Sequence, residues 1–156
     1  MTTRPVVPTD LLPYLRRARD LMDRNFAEEL DLDAVAGAAG ISKYHFLRSF
    51  AAAYGKTPAQ YLSHRRIERA QDLLRATNLT VTEVCHLVGF TSLGSFSIRF
   101  RGLVGESPSA YQRRYGGKGI PHVPGCYLFM HGLREVIGAS PPESAILEKP
   151  DAVQQG

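Results

Sequence analysis

The spacing of hydrophobic residues predicts helices, and no strands, between residues 9 and 115. An early helix is predicted over about residues 10–25, with one apolar face made of Leu11, Leu15, Ala18 and Met22. These positions lie three or four residues apart, as they do on one side of a helix. No segment of this region shows the strict apolar and polar alternation of a half-buried strand. The pattern is typical of an all-α domain.

The middle of the chain contains an internal repeat. Residues 30–41 match residues 79–90 at an offset of 49, and residues 42–61 match residues 92–111 at an offset of 50. The shared positions are apolar residues at helical spacing, glycines, and the polar residues or prolines that begin helices. Self-similarity at a fixed offset indicates two copies of one supersecondary unit.

Each copy predicts a helix-turn-helix unit. Asp31 and Thr80 are suited to cap a short amphipathic helix, which then ends at Gly40 or Gly89. The second helix of each copy starts after a serine, carries two phenylalanines on one face and ends at a glycine. These positions are Ser42, Phe46, Phe50 and Gly55 in the first copy, and Ser92, Phe96, Phe100 and Gly105 in the second. We therefore expect helix-turn-helix units at about residues 31–54 and 80–104.

A long connector helix is predicted between the two units, from Pro58 to about Thr77. Its inward face is expected to contain Ile67, Ala70, Leu73 and Leu74, and its outward face Arg65, Arg66, Arg69 and Arg75. A helix of about twenty residues is about 30 Å long, close to the 34–36 Å of one turn of B-DNA. Such a connector is suited to place two recognition helices in successive major grooves. A short helix from Pro108 to about Tyr115 is predicted to complete the domain.

Charge is distributed unevenly along the chain. The net charge of +4 divides into −2 over residues 1–41, +7 over residues 42–115 and −1 over residues 116–156. A strongly positive middle segment suits binding to a polyanion such as nucleic acid. The alternative is a basic surface that only contacts solvent.

Several classes of protein are disfavoured by the composition. No apolar run approaches the roughly 20 residues of a membrane helix, and the N-terminus does not resemble a secretory signal. Two cysteines, Cys85 and Cys126, cannot form a disulfide scaffold, so a cytoplasmic location is expected. We find no carboxylate cluster and no glycine-rich phosphate loop. An enzyme such as a DNA-repair alkyl acceptor built on this scaffold would need a cysteine cluster with zinc-ligand spacing before the helices. Residues 1–41 contain no cysteine, so no enzymatic activity is expected.

The last segment, residues 116–156, is rich in glycine and proline and is interpreted as a tail. Residues 126–130 are predicted to form a short strand. His122, Cys126 and His131 have a spacing that is loosely metal-like, but a structural zinc site usually needs four ligands and no fourth is evident. Neither a metal nor another cofactor is therefore predicted.

The motifs of both repeats resemble those of the DNA-binding domain of the AraC/XylS family of bacterial transcription regulators. The most specific are Gly40-Ile-Ser-Lys-Tyr-His-Phe-Leu-Arg-Ser-Phe50, Gly55-Lys-Thr-Pro-Ala-Gln-Tyr61, Arg66-Ile-Glu-Arg-Ala70, Val88-Gly-Phe90 and Gly105-Glu-Ser-Pro-Ser-Ala-Tyr111. The resemblance implies a seven-helix fold with two helix-turn-helix subdomains and binding to promoter DNA. It implies activation through contacts with RNA polymerase more often than repression.

The resemblance covers about residues 10–115 and implies the layout of the family's short, single-domain members. We therefore expect an N-terminal extension over residues 1–9, the DNA-binding domain over residues 10–115 and the tail over residues 116–156. The chain is expected to bind double-stranded DNA as a monomer. No association with a membrane is expected.

Base contacts are expected from both recognition helices. The candidates are Tyr44, Leu47, Arg48, Leu93, Ser95 and Ile98. Arg48 is the first choice because arginine can bind guanine O6 and N7 together; the alternative is a contact with phosphate only. Tyr44 and Leu47 align with family positions that often contact DNA, and packing within the protein is their alternative. His45 is expected to be a structural histidine.

The second recognition helix departs from the family pattern. Ile98 stands where an arginine is usual, and Gly94 offers no side chain. Ile98 and Leu93 are candidates for contact with thymine methyl groups or for a surface patch. These departures favour an alternative function, a degenerate helix-turn-helix module that binds protein and has lost DNA binding. The charge of +7 over residues 42–115 opposes that alternative.

Contacts with the DNA backbone are expected from residues at helix starts and from basic residues. The candidates are Ser42, Lys43, Lys56, Thr57, Arg65, Arg66, Ser92, Arg101 and Ser107. Thr57 and Ser107 stand at helix N-termini, where free amides and the helix dipole favour anions. For the connector arginines, the alternative is a solvated charge.

Overall fold

The computed structural model describes residues 6–115, which form seven α-helices preceded by a 3-10 turn at Thr9–Leu11. The helices are α1 (Leu12–Arg24), α2 (Leu32–Ala38), α3 (Lys43–Tyr54), α4 (Pro58–Ala76), α5 (Val81–Leu87), α6 (Leu93–Val104) and α7 (Pro108–Tyr115). The all-α class with two helix-turn-helix units is confirmed: α2 and α3 form the first unit, α5 and α6 the second, and α4 joins them. The predicted strand at residues 126–130 and the group His122, Cys126 and His131 lie outside the described residues.

Side-chain caps define where the helices of each unit begin. The Asp31 carboxylate accepts a hydrogen bond from the Ala34 amide at 3.0 Å at the start of α2. Thr80 and Glu83 form a reciprocal capping box at the start of α5. Each such cap contributes about 1 kcal/mol to stability. The predicted caps at Asp31 and Thr80 are therefore confirmed, and they act through residues only three positions away.

The connector is slightly shorter than predicted. It begins on a capping box between Thr57 and Gln60 and ends at Ala76, one residue before the expected Thr77. Thr77 has extended backbone angles, and its buried hydroxyl donates to the Leu73 carbonyl at 2.7 Å. The same carbonyl also accepts the Thr77 amide at 3.0 Å, so Thr77 closes the helix with both its amide and its hydroxyl. The first helix also differs from its prediction, because residues 9–11 form a tighter 3-10 turn ahead of α1.

The hydrophobic core lies between α4 and the two units. The four phenylalanines predicted for the core, Phe46, Phe50, Phe96 and Phe100, are fully buried, as are the four predicted inward residues of α4. The same packing recurs in both halves. Phe50 meets the edge of Tyr61 at 5.8 Å, and Phe100 meets the edge of Tyr111 at 5.4 Å. Aromatic edge contacts add about 0.5–1.5 kcal/mol to the burial of the rings. Each recognition helix is thus held by the helix that follows it.

None of the helices within residues 6–115 has the length and apolar character that crossing a membrane requires.

Candidate nucleic-acid interface

The recognition helix α3 buries one side and exposes the other. Phe46, Ser49 and Phe50 face the core, whereas Tyr44 and Arg48 are exposed. The exposed pair is four residues apart and therefore shares one face, opposite the phenylalanines. This face is free to enter a groove without disturbing the core.

Arg48 lies over the ring of Tyr44. The guanidinium carbon is 5.6 Å from the ring centroid, and the Tyr44 side chain is 69% exposed. A cation–π contact at an exposed site contributes about 0.5–1 kcal/mol. No salt bridge to Arg48 is present among residues 6–115. Stacking therefore orients the guanidinium while leaving its N–H groups available for a base edge. Leu47 is half-buried beside this pair.

The same face of α6 has different chemistry. Ile98 aligns with Arg48 and is 77% exposed, while Gly94 aligns with Tyr44. Arg101 is exposed about one turn beyond Ile98, and Leu93 at the start of the helix is 42% exposed. Ser95 is also exposed. The face of α6 equivalent to the Arg48 face is thus apolar at its centre and basic toward its end.

The residue next to Ile98 does not replace the missing arginine. Arg99 points toward the connector, where its Nε donates to the Ser63 hydroxyl at 2.7 Å. Neighbouring helix residues differ in direction by about 100°. Arg99 therefore joins α6 to α4 instead of extending the face of Ile98.

Capping hydroxyls stand at the start of each recognition helix and of each helix after it. The Ser42 and Ser92 hydroxyls accept hydrogen bonds from amides of their own helices, at 3.2 and 3.3 Å. Thr57 and Ser107 do the same at 3.3 and 3.2 Å. A hydroxyl that accepts in this way still has its own proton to donate. All four predicted positions can therefore donate to a phosphate at a helix N-terminus.

Basic groups near the recognition helices are held loosely or not at all by carboxylates. Lys43 pairs with Asp33 at 3.3 Å, but both side chains are largely exposed, so the pair contributes little. Lys56 Nζ lies 2.9 Å from Nδ1 of His64. Burial and the charges of Lys56 and Arg99 lower the pKa of His64, and the charge of Glu68 raises it to a smaller extent.

Arg65 is placed differently from the expectation that it lies on an outward face. Its Nε donates to Asp23 at 2.8 Å and its Nη1 donates to Glu68 at 2.6 Å. Asp23 also accepts from the Tyr61 hydroxyl at 2.9 Å. Burial and this hydrogen bond raise the pKa of Tyr61 to about 12. The cluster joins α1 to α4, so Arg65 is engaged within the protein through Nε and Nη1.

Arg66 is engaged more completely. Its guanidinium donates to three backbone carbonyls, those of Phe26, Glu28 and Gly89. Burial lowers the pKa of Arg66. The donors of Arg66, which was expected to contact the DNA backbone, are thus directed to carbonyls of the protein itself.

The other two connector arginines also have partners in the protein. Arg69 and Arg75 both pair with Asp72, and Arg69 also lies near the ring of Phe26. The expected outward basic face of α4 is therefore mostly neutralised.

His45, expected to be a structural histidine, has an exposed side chain. It lies on α3, next to Tyr44, and is not a buried structural histidine. Its alignment with exposed Ser95 in the other repeat is the signal that identifies it. Cys85, in contrast, is fully buried as expected, and burial raises the pKa of its thiol. Within residues 6–115 there is no group of three or more His, Cys, Asp or Glu side chains suited to hold a metal ion.

Comparison with known proteins agrees with this geometry. A family model described as a helix-turn-helix domain matches residues 35–114, which is more than half of the chain. A solved structure described as a probable AraC family transcriptional regulator from Rhodopseudomonas palustris is 27% identical, with a TM-score of 0.61 over 66% of this chain and 97% of that one. The chain belongs to the AraC family. The resemblance carried by the motifs of the two repeats is thereby confirmed.

Two other similar proteins bear on function. The DNA-binding domain of AdpA, solved in complex with a target DNA, is 30% identical, with a TM-score of 0.62 over 67% of this chain and 95% of that one. The transcriptional activator AarP of Providencia stuartii is 35% identical over 91 residues, 58% of this chain and 67% of AarP. The matched region is thus of a DNA-binding type, and the family consists of transcription regulators and not of enzymes, as expected. The alternative of a degenerate module that binds protein is not favoured.

The length of the relatives varies. The MmsAB operon regulatory protein of Pseudomonas aeruginosa is 34% identical over 113 residues, which cover 66% of this chain and 37% of that protein. The chain thus spans about a third of that relative and about two thirds of AarP.

Proposed function

We propose that this AraC-type chain is a sequence-specific transcription regulator that binds double-stranded promoter DNA through α3 and α6, placed in successive major grooves. The observation that carries the proposal is the repeated recognition surface: two capped helices expose equivalent faces and are joined by one helix. The 19 residues of α4 span about 28 Å, close to the 34–36 Å repeat of B-DNA. One chain therefore supplies the spacing that many helix-turn-helix proteins obtain by dimerisation, and we propose that it binds as a monomer.

Base recognition is assigned mainly to α3. Arg48, oriented by Tyr44, has the donors to bind a guanine in a bidentate manner, and Leu47 lies beside them. On α6, exposed Ile98 and Leu93 are suited to thymine methyl groups, and Ser95 offers a short hydroxyl. We therefore propose unequal half-sites, with most sequence information under α3.

Backbone contacts are assigned to the capping hydroxyls and to the basic groups near them. The set is Ser42, Lys43, Lys56, Thr57, Ser92, Arg101 and Ser107. These groups occur in both halves, so both halves contribute affinity even where only one reads bases. Arg65 and Arg66 are left out because their donors bond within the protein.

The sign of regulation is proposed from the relatives. AarP is named a transcriptional activator, so we propose that this chain also activates transcription, in the cytoplasm and through contact with RNA polymerase. A promoter fused to a reporter tests the sign, since an activator raises the output and a repressor lowers it.

Selection of bound sequences from a random duplex library tests the function itself. The chain is expected to enrich one asymmetric motif of about two helical turns, and its Arg48→Ala variant is expected to lose information in one half of it. Arg113→Ala, which removes an exposed charge on α7, serves as a control that keeps the motif. Failure to enrich any motif would contradict the proposal.

A further inference from the structure

The guanidinium of Arg66 bonds to parts of the fold that carry different recognition helices. Its Nε donates to the Phe26 carbonyl at 2.6 Å and its Nη2 to the Glu28 carbonyl at 3.0 Å. Both carbonyls belong to the loop between α1 and α2, which leads into α2 and lies in the half of the domain that carries the first unit. Its Nη1 donates to the Gly89 carbonyl at 3.1 Å, in the turn between α5 and α6. One side chain on the connector therefore links the first unit to the second.

The backbone of the two units also meets directly at this place. Gly89 has a φ of +94°, and a Cβ added there would lie 2.5 Å from the carbonyl oxygen of Ala27. That oxygen is part of the backbone, so a change of side-chain rotamer cannot relieve the clash. Only glycine allows the turn of the second unit to approach the loop of the first this closely.

The hydrogen bonds of Arg66 are charge-assisted and directional, so they fix the positions of their acceptors. The group stays charged although burial lowers its pKa. Charge-assisted hydrogen bonds are stronger than neutral ones, and loss of the acceptors of a half-buried charge destabilises the fold. The planar guanidinium fixes the directions of its donors, whereas a lysine ammonium does not. The relative position of the three carbonyls is therefore constrained.

We infer that the junction formed by Phe26, Ala27, Glu28, Arg66 and Gly89 sets the orientation of α6 relative to α3, and with it the spacing of the two half-sites on DNA. The inference rests on the proposed function. The connector fixes the distance between the units, while the junction limits rotation of the second unit about α4. One inserted base pair moves a half-site by about 3.4 Å and about 35°, so a fixed orientation discriminates between spacings.

The first test uses the protein without DNA. Spin labels are attached through His45→Cys and Ser95→Cys, at equivalent exposed positions of α3 and α6, in a Cys126→Ser background; Cys85 is fully buried. The parent is expected to give one narrow distance distribution. Arg66→Lys and Gly89→Ala are expected to shift or broaden it. Arg65→Lys is the matched control, since the bonds of Arg65 seen within residues 6–115 run to α1 and α4, and it should leave the distribution unchanged. If Gly89→Ala does not fold, Arg66→Lys decides, and an unchanged distribution there overturns the inference.

The second test measures affinity for the selected site and for duplexes with one base pair added or removed between its halves. The parent and Arg65→Lys are expected to prefer the native spacing by about tenfold or more, the cost of disturbing one or more base contacts. Arg66→Lys is expected to reduce that preference to about threefold or less, while retaining charge. An equal loss of affinity at every spacing would show that Arg66 is a general contact and would overturn the inference. If the parent binds no sequence specifically, the proposed function fails, and the label distances still decide the junction.

Discussion

Arg99 on α6 donates from Nε to the hydroxyl of Ser63 on α4, at 2.7 Å. This bond turns Arg99 toward the connector and leaves Ile98, 77% exposed, at the centre of the α6 face. The equivalent position of α3 is Arg48, which lies over Tyr44. The two recognition helices therefore share their architecture and differ in the chemistry that they offer to a base pair.

The first prediction follows from this difference. Arg48→Ala is expected to cost about 1–3 kcal/mol of binding and to relax the preference at one or two base pairs. Ser95→Ala, which removes a short hydroxyl on α6, is expected to cost less than about 1 kcal/mol. Binding across single-base-pair variants of the selected site measures both. A half-site under α6 that holds more information than the one under α3 would contradict the argument and would make Ile98 and Leu93 the main readers.

The second prediction concerns two exposed glycines in α6. Neither Gly94 nor Gly102 would bring an added Cβ into a close contact. Replacement of either by alanine is therefore expected to raise the free energy of unfolding by about 0.5–1 kcal/mol, because glycine is a poor helix former. Thermal or urea unfolding measures the gain. Gly94 and Gly102 each lie four residues from Ile98 and share its exposed face. An unchanged or lower free energy of unfolding in either variant would contradict this prediction.

The third prediction concerns pH. The pKa of His64 is lowered from its ordinary 6.5 by burial and by Lys56 and Arg99, against a smaller opposing effect of Glu68. The unfolded chain therefore takes up this proton before the folded protein does, and stability falls as the pH drops through about 6.5. Unfolding at pH 7.5 and 5.5 should show a smaller loss for His64→Gln than for the parent.

A second measurement identifies the cause. The NMR titration of His64 should have its midpoint below 6.5, and Lys56→Gln should move the midpoint upward because it removes a neighbouring positive charge. A midpoint that Lys56→Gln leaves unchanged would mean that burial and Arg99, and not Lys56, lower the pKa of His64.

The helices were predictable from the sequence because their signals are local. Asp31 caps an amide three residues away, and Thr57 and Gln60 cap each other. The repeat offset then predicted the second unit from the first. The buried phenylalanines followed from four-residue spacing alone.

The roles of the connector arginines were not predictable in this way. Arg65 meets an aspartate 42 positions earlier, and Arg66 meets carbonyls 40, 38 and 23 positions away. Every residue has a backbone carbonyl, so the sequence does not reveal which carbonyls will accept from Arg66. A count of charges along the chain therefore treats both arginines as available to bind DNA. The same limit applies to Arg99, whose partner Ser63 is 36 positions away on α4.

These engaged arginines lead to the fourth prediction. The middle segment has a net charge of +7, but Lys43, Lys56 and Arg101 are the basic groups now assigned to phosphate, with Arg48 near the same groove. With about four such contacts, the slope of log K against log salt is expected to be about −3 to −4. Arg101→Ala should make the slope shallower by about 1, whereas Arg65→Ala should not change it. A slope shallower than about −2 would mean that this surface does not bind the DNA.

The central claim is that one chain places both recognition helices on one DNA site. Sedimentation of the complex on the shortest selected duplex that retains full affinity tests it most directly. The account predicts one protein per duplex of about two helical turns, with both half-sites required for full affinity. A ratio of two proteins per duplex, each on one half-site, would contradict it.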